Sequence, residues 1–379
     1  MTNTDLTNTG ADQGSLSPLD DYPVHQIPEV MRHVGTSDRN FYDRYYFSSF
    51  PLTGDAMLIV GIGQYPNLGV TDAFALLRYK TLHRVVRASR ELGADRMDTR
   101  VGPFQVTVIE GLKRLNVTLA PNEYGLSFDL TWDGSIPAQV EPQHFIRWQE
   151  RVMFDSKRLA QTGRWTGSIT AGDDVLAVTP DQWWGTRDRS WGIRPVGESE
   201  PPGIQSKNPG TFYWVYAPVQ FEDHSILCIV QEDHQGRRVL EEAVRVPGFG
   251  AGPRGGGGGP EYLGRPEYRP VYADGTRDVV AATISFAPPG GKPFDLRVTP
   301  LLPVHLMVGT GYGLEPDWKH GMYHGPDLVV QGVSYDLAVP GDGARMWGLV
   351  DAVARFDYDG HTGYGLFEYF ALGDHPSFR

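Results

Sequence analysis

Across residues 104–132, apolar and polar positions alternate with a period of two. Phe104, Val106 and Val108 alternate with Gln105 and Thr107, and after Glu110-Gly111 come Leu115, Val117 and Leu119 around Asn116 and Thr118. Beyond a turn at residues 121–125, Leu126, Phe128, Leu130 and Trp132 alternate with Ser127, Asp129 and Thr131. In an extended chain this spacing puts every apolar side chain on one face, so three antiparallel strands joined by short turns are predicted. Trp165, Gly167 and Ile169 extend the pattern, and residues 355–359 and 364–370 form a closing pair around Gly360-His-Thr-Gly363.

Two stretches read differently. Residues 144–161 carry Phe145, Trp148, Val152 and Leu159 among charged residues, a spacing that suits an amphipathic helix as well as a strand. Residues 72–92, rich in alanine and arginine, hold Ala73, Leu76, Leu77, Leu82 and Val85 at mixed spacings and favour helix. Strands and helices do not alternate regularly, which argues against a Rossmann-like parallel sheet. The fold class expected is all-β and antiparallel, with minor helix.

Composition supports that expectation. The 379 residues include 46 glycines and 29 prolines, about a fifth of the chain against a background near ~12%, which excludes long helices. A 40% hydrophobic share supplies one large core or two ordinary ones. Residues 1–21 are polar and read as a disordered tail, and 247–260, with five successive glycines, as a flexible insertion. The Pro- and Gly-punctuated stretch 197–210 reads as a crossover between two halves, 22–196 and 211–379.

Charge and cysteine content narrow the partners. A net charge of −12 disfavours nucleic acid. The single cysteine, Cys228, lies in an apolar run and is expected to be a small buried hydrophobe. No apolar run is long enough to span a membrane and the start lacks a signal-peptide pattern, so a soluble, cytoplasmic protein is expected.

The chemistry concentrates in residues 182–192, which hold three of the nine tryptophans, Trp183, Trp184 and Trp191, with Arg187, Asp188 and Arg189. As a strand, this segment sends Trp183, Arg187, Arg189 and Trp191 to one face and Trp184, Asp188 and Ser190 to the other. The arginines and indoles can stack as a structural ladder or line a pocket. In the closing strand Glu368 shares a face with Tyr364, Leu366 and Phe370, an odd place for a surface carboxylate. It reads as a cavity acid or as a buried partner of Arg187 or Arg189. His320 and His324 are spaced by four, but Gly321 and Gly325 make a helix poor there and no metal site is expected, although Tyr323 and His324 are candidates for a pocket wall.

The core Asp188-Arg-Ser-Trp-Gly192 resembles the signature of the double-lipocalin family that includes carotenoid hydratases and AttH-like proteins. Residues 41–47 (FYDRYYF) with 61–67 (GIGQYPN) are similar to that family's opening strands, and 363–369 (GYGLFEY) to its closing strand. The resemblance implies two tandem lipocalin-like β-barrels or sheets around an apolar ligand cavity. Some relatives hydrate isoprenoid double bonds, and structurally similar fungal proteins guide cyclisations without a cofactor. One position departs from the family: Arg189 stands where histidine is common, so acid chemistry that relies on that histidine is not expected here.

The function expected is binding of a hydrophobic small molecule of isoprenoid, polyketide or lipid type, without a cofactor. Asp188 and Glu368 are the candidate acids for hydration, isomerisation or cyclisation. Trp183, Trp184, Arg187, Arg189, Trp191, Tyr323, His324 and Tyr364 are the candidate ligand contacts. A non-catalytic carrier is the rival reading, and a carbohydrate-binding β-domain with an exposed tryptophan row is a third.

Overall fold

The computed structural model describes residues 16–148, 150–196, 212–250, 259–313 and 315–378. The first half contributes β1 (Phe41–Pro51), β2 (Ala56–Tyr65), β3 (Val70–Tyr79), β4 (Leu82–Glu91), β5 (Phe104–Glu110), β6 (Arg114–Leu119), β7 (Leu126–Gly134), β8 (Gln139–Val140), β9 (His144–Trp148), β10 (Arg151–Ala171), β11 (Asp174–Val178) and β12 (Trp183–Ile193). The second contributes β13 (Phe212–Gln220), β14 (His224–Glu232), β15 (Arg238–Pro247), β16 (Glu261–Tyr262), β17 (Glu267–Tyr272), β18 (Val279–Phe286), β19 (Phe294–His305), β20 (Val329–Asp336), β21 (Val350–Tyr358) and β22 (His361–Leu372). The expected meander is β5–β6–β7, paired in the register its alternation requires, with Val106 opposite Val117 and Val117 opposite Leu130.

Two antiparallel sheets result. One runs β20-β4-β3-β2-β1-β12-β10-β7-β6-β5, with β8, β9 and β11 also on β10; the other runs β16-β15-β14-β13-β22-β21-β19-β18-β17. The same closure occurs twice: β12 returns to pair with β1, and β22 returns to pair with β13. The all-β, tandem antiparallel fold is therefore present. The sheets do not divide strictly at mid-chain, because β20 pairs with β4 and edges the first sheet.

Apolar side chains fill three layers. Phe47, Val60, Ala75, Trp132 and Trp165 pack within the first sheet, and Val215, Cys228, Phe286, Phe356 and Phe367 within the second. A third layer lies between the sheets, where Tyr46, Ile59, Leu76 and Trp184 meet Trp214, Tyr216, Ile229 and Leu366. Central strands are consequently buried on both faces; every residue of β2 is buried. Burial pushes the Cys228 thiol up to about 12, so it is an inert core residue.

The third layer explains where helix was wrongly expected. Residues 72–92 form the β3–β4 hairpin, in which Ala73, Ala75 and Leu77 enter the first layer while Phe74 and Leu76 enter the layer between the sheets. Two apolar faces erase the period of two, leaving only the alanine and arginine content to suggest helix. Residues 144–148 and 151–161 are likewise strand, β9 against β10, with a bulge between Val152 and Phe154 that disturbs the alternation. The expected crossover 197–210 lies outside the described residues, as do 251–258 of the glycine-rich insertion and 1–15 of the expected tail. Within that tail, Pro18–Asp21 is a short helical turn capped by Ser17.

Candidate functional site

Strand β12 sits between β1 and β10 at the centre of its sheet. Its alternation sends Trp183 into the first core, while the buried Arg187 donates from Nε to Gln161 at 2.9 Å. Arg189 ion-pairs with Asp43, and its guanidinium lies 4.2 Å from the Tyr45 ring centroid. Asp188 points the other way, opposite Tyr46 on β1 and Ala160 on β10, into the space between the sheets. Strand β22 repeats the arrangement from the other side. Glu368 lies opposite Tyr216 on β13 and Asp351 on β21, and it shares the same space as Asp188.

That space is a cavity of about 510 Å³, within the range that holds a drug-sized ligand. Tyr46, Phe154, Trp214, Tyr216 and Tyr312 form aromatic walls, and Ile229, Leu240, Leu306 and Leu366 add aliphatic ones. Asp188 keeps some accessible surface only because it opens onto the cavity; Thr186 and Ser190 on either side are buried.

Electrostatics separates the roles of the acids. Burial pushes the Asp188 carboxyl up to about 7, against the opposing pull of the Arg158 guanidinium and with added repulsion from Glu141 and Glu368. No side chain among the described residues hydrogen-bonds to Asp188, and its carboxyl lines the cavity. Asp351 is completely buried, and burial raises both its carboxyl and that of Glu368. The Tyr46 hydroxyl donates to Asp351 and the Trp214 indole to Glu368. The two carboxyls sit on directly paired residues and repel each other as anions, which raises Asp351 further. Glu368 is thus held by Asp351 and Trp214 rather than by Arg187 or Arg189, the partners its strand position suggested.

Arg158 is the cation that acts on both Asp188 and Glu368. It ion-pairs with the buried Glu141, and its guanidinium stacks 4.1 Å from the Tyr216 centroid. Removing one partner of such a pair strands a buried charge, so Arg158→Met is expected to cost about 3–5 kcal/mol. The double variant Arg158→Met/Glu141→Leu is expected to recover most of that loss in urea unfolding, because it leaves no unpaired charge.

The remaining candidate contacts lie away from the cavity wall. Trp183, Arg187 and Arg189 occupy the opposite face of β12. Trp184 packs in the apolar layer with Tyr364 edge-on at 6.1 Å, beyond the cavity lining. Trp191 is half-exposed, Tyr323 is exposed and donates to Glu91 at 3.1 Å, and His324 stacks on Trp318 at 4.3 Å. Strand parity alone accounts for Trp183, Arg187, Arg189 and Trp191, since a motif reads as one unit in sequence but splits between two faces. Tyr46, Arg44 and Tyr42, which do line the cavity, were missed, although strand parity puts them on one face of the opening motif 41–47. Asp351 carried no local signal; only its pairing with β22 reveals it. No cluster of three or more His, Cys, Asp or Glu able to hold a metal occurs among the described residues. No helix there is long and apolar enough to cross a membrane.

The fold is similar to that of an AttH-like protein from Nitrosomonas europaea, with a TM-score of 0.54, 12% identity, and coverage of 93% of this chain and 99% of that one. Kievitone hydratase from Nectria haematococca is similar at 13% identity over 95% of this chain and 96% of that one, with a TM-score of 0.46. CghA with Sch210972 is similar at 14% identity over 89% of each chain, with a TM-score of 0.49. The fold likeness to the AttH-like protein agrees with the double-lipocalin resemblance of the motifs. No curated protein sequence matches. A family model spans residues 16–378, and the chain belongs to the family it describes, the family of unknown function DUF8625.

Proposed function

We propose that the protein binds a hydrophobic small molecule between its sheets and acts on it by cofactor-free proton transfer from Asp188. One observation carries this reading: a carboxyl raised to about 7 faces a largely apolar cavity with no cation in direct ion pair among the described residues. Near neutral pH such a group is present as both acid and base, the condition that favours general acid–base catalysis. In a hydration, Asp188 donates its proton to one alkene carbon, and positive charge develops on the other. The faces of Tyr46, Tyr216 and Trp214 stabilise that charge. Water adds to the cation and loses a proton to the Glu368–Asp351 pair, so one alkene and one water give one alcohol. Run without water, the same protonation followed by loss of a neighbouring proton gives an isomer, and a polyene folded by the walls can cyclise instead.

Trp132, Trp165, Trp183, Trp184, Trp214 and Trp318 are all buried, which counts against an exposed sugar-stacking row built from them. Native mass spectrometry of protein purified from its own host is expected to show a copurified lipophilic adduct. Asp188→Asn is then expected to retain the adduct and lose at least about 10²-fold in its turnover, the usual worth of a general acid. Unchanged turnover in that variant would remove Asp188 from the chemistry, and binding without turnover in the wild type would leave a carrier.

A further inference from the structure

The cavity wall carries a second polar group, built from Arg44, Arg194 and His320. Arg44 is only 1% exposed, yet no carboxylate lies within ion-pair distance of it among the described residues. Its Nη1 donates to His320 Nδ1 at 2.7 Å, while its Nε and Nη2 have no hydrogen-bond partner. The guanidinium lies 4.8 Å from the Tyr312 centroid and 5.3 Å from that of Phe74. Arg194 stacks over Tyr42 at 4.5 Å, and its Nε is also without a partner. His320 cannot offset these charges. Burial, then the two guanidiniums, push its pKa well down and keep it neutral, with Nε2 directed to the Thr310 carbonyl at 3.2 Å.

A buried acid, Asp72, attracts both guanidiniums from beyond ion-pair distance. Asp72 is buried, accepts from the Gly321 amide at 2.7 Å and from the Tyr65 hydroxyl at 3.2 Å, and forms no ion pair with either arginine. Two glycines make room for this group. A Cβ at Gly61 would lie 2.6 Å from Arg44 Nη2, and one at Gly311 would lie 2.7 Å from His320 Cδ2. The backbone is therefore cut back where the guanidinium and imidazole must lie. A buried cation with spare donors is costly unless an anion meets it, and a planar guanidinium suits an oxyanion that can accept two hydrogen bonds.

We infer that Arg44 and Arg194 receive the carboxylate of an amphipathic ligand whose hydrophobic body extends to Asp188. The substrate class is then a hydrophobic carboxylic acid, anchored by its anion beside the arginines and protonated by Asp188, which lies one diagonal step from Arg44 across β1 and β12. This inference rests on the reading of the cavity as a ligand site, and three matched probes separate the two. All-trans-retinoic acid, retinol and retinyl phosphate share a polyene body and differ only in the head group. Each quenches tryptophan emission when it binds near Trp214 in the cavity wall.

Wild-type protein is expected to bind the acid at least about tenfold more tightly than the alcohol, the worth of one charge-assisted pair. Arg44 is fully buried and its loss risks the fold, so the half-buried Arg194 is the informative position. Arg194→Gln is expected to reduce the acid-over-alcohol preference to under about threefold, with retinol affinity and far-ultraviolet circular dichroism unchanged. Equal affinity for acid and alcohol in the wild type would overturn the anion site and leave the cavity reading intact. Tighter binding of the phosphate than of the acid would overturn the carboxylate assignment. Failure of all three probes to bind would overturn the cavity reading itself.

Discussion

Asp188→Asn is expected to stabilise the protein at pH 8 and to leave its stability unchanged near pH 3. The carboxyl titrates at about 7 in the folded chain against an ordinary 3.8. Folding therefore holds this proton more tightly than the unfolded chain does. Below the unfolded value Asp188 is protonated in both states and costs nothing. As pH rises from about 4 to 7 the unfolded chain ionises first, and stability drains away until both states are charged. Three pKa units at ~1.4 kcal/mol each set an upper limit of about 4 kcal/mol. Asparagine has nearly the same shape and no charge to desolvate, so it removes the penalty. Urea unfolding of wild type and variant across pH 3–8 measures the difference, and common effects of other groups cancel. A variant equal to or less stable than the wild type at pH 8 would show that the carboxyl is not held in its raised state. A site that weakens its own fold at working pH is one in which a neutral acid is kept for use, and loss of activity with gain of stability is the paired signature of such a group.

Sequence and structure agree where one face of a strand is polar. The meander at β5–β7 was legible because its outer face meets water, so alternation survived intact. Alternation also put Asp188 apart from Arg187 and Arg189, and Glu368 beside Leu366; both placements follow from strand parity alone. It failed at β2, β3 and β4, whose two faces enter two different apolar layers, because no periodicity marks a strand buried on both sides. The carboxyl pair of Glu368 and Asp351 depends on β21 lying next to β22 in a particular register, and the arginine group in the cavity wall depends on Gly61 and Gly311 making room from other strands. Contacts between segments far apart in the chain leave no mark in any one of them.

Glycine at position 185 shows how tightly the acid-bearing strand is held, and Gly185→Ala is expected to destabilise the protein by about 2–6 kcal/mol, up to loss of folding. Gly185 pairs directly with Gly163 on β10, and the two together open a gap in the sheet. Trp165 fills it: its indole donates to the Ser48 carbonyl at 2.9 Å and meets Trp132 edge-on at 5.0 Å. A Cβ on residue 185 would overlap both the Ser48 carbonyl oxygen and the indole nitrogen. The carbonyl belongs to the β1 backbone and cannot swing aside, so β12 must shift away from β1 and the indole lose its place beside the Ser48 carbonyl. Overpacking costs about 1–3 kcal/mol, and a buried indole N–H without its acceptor adds about 1–3 kcal/mol more. Gly111→Ala is the matched control, because nothing lies within 4 Å of a Cβ there; it is expected to fall within about 0.5 kcal/mol of wild type. Urea unfolding of the two variants side by side measures the contrast. If Gly185→Ala proves as mild as the control, β12 is not clamped between β1 and β10 as closely as the glycine pair requires. Asp188, three residues further along the same strand, would then lack the fixed aim into the cavity on which its chemistry depends.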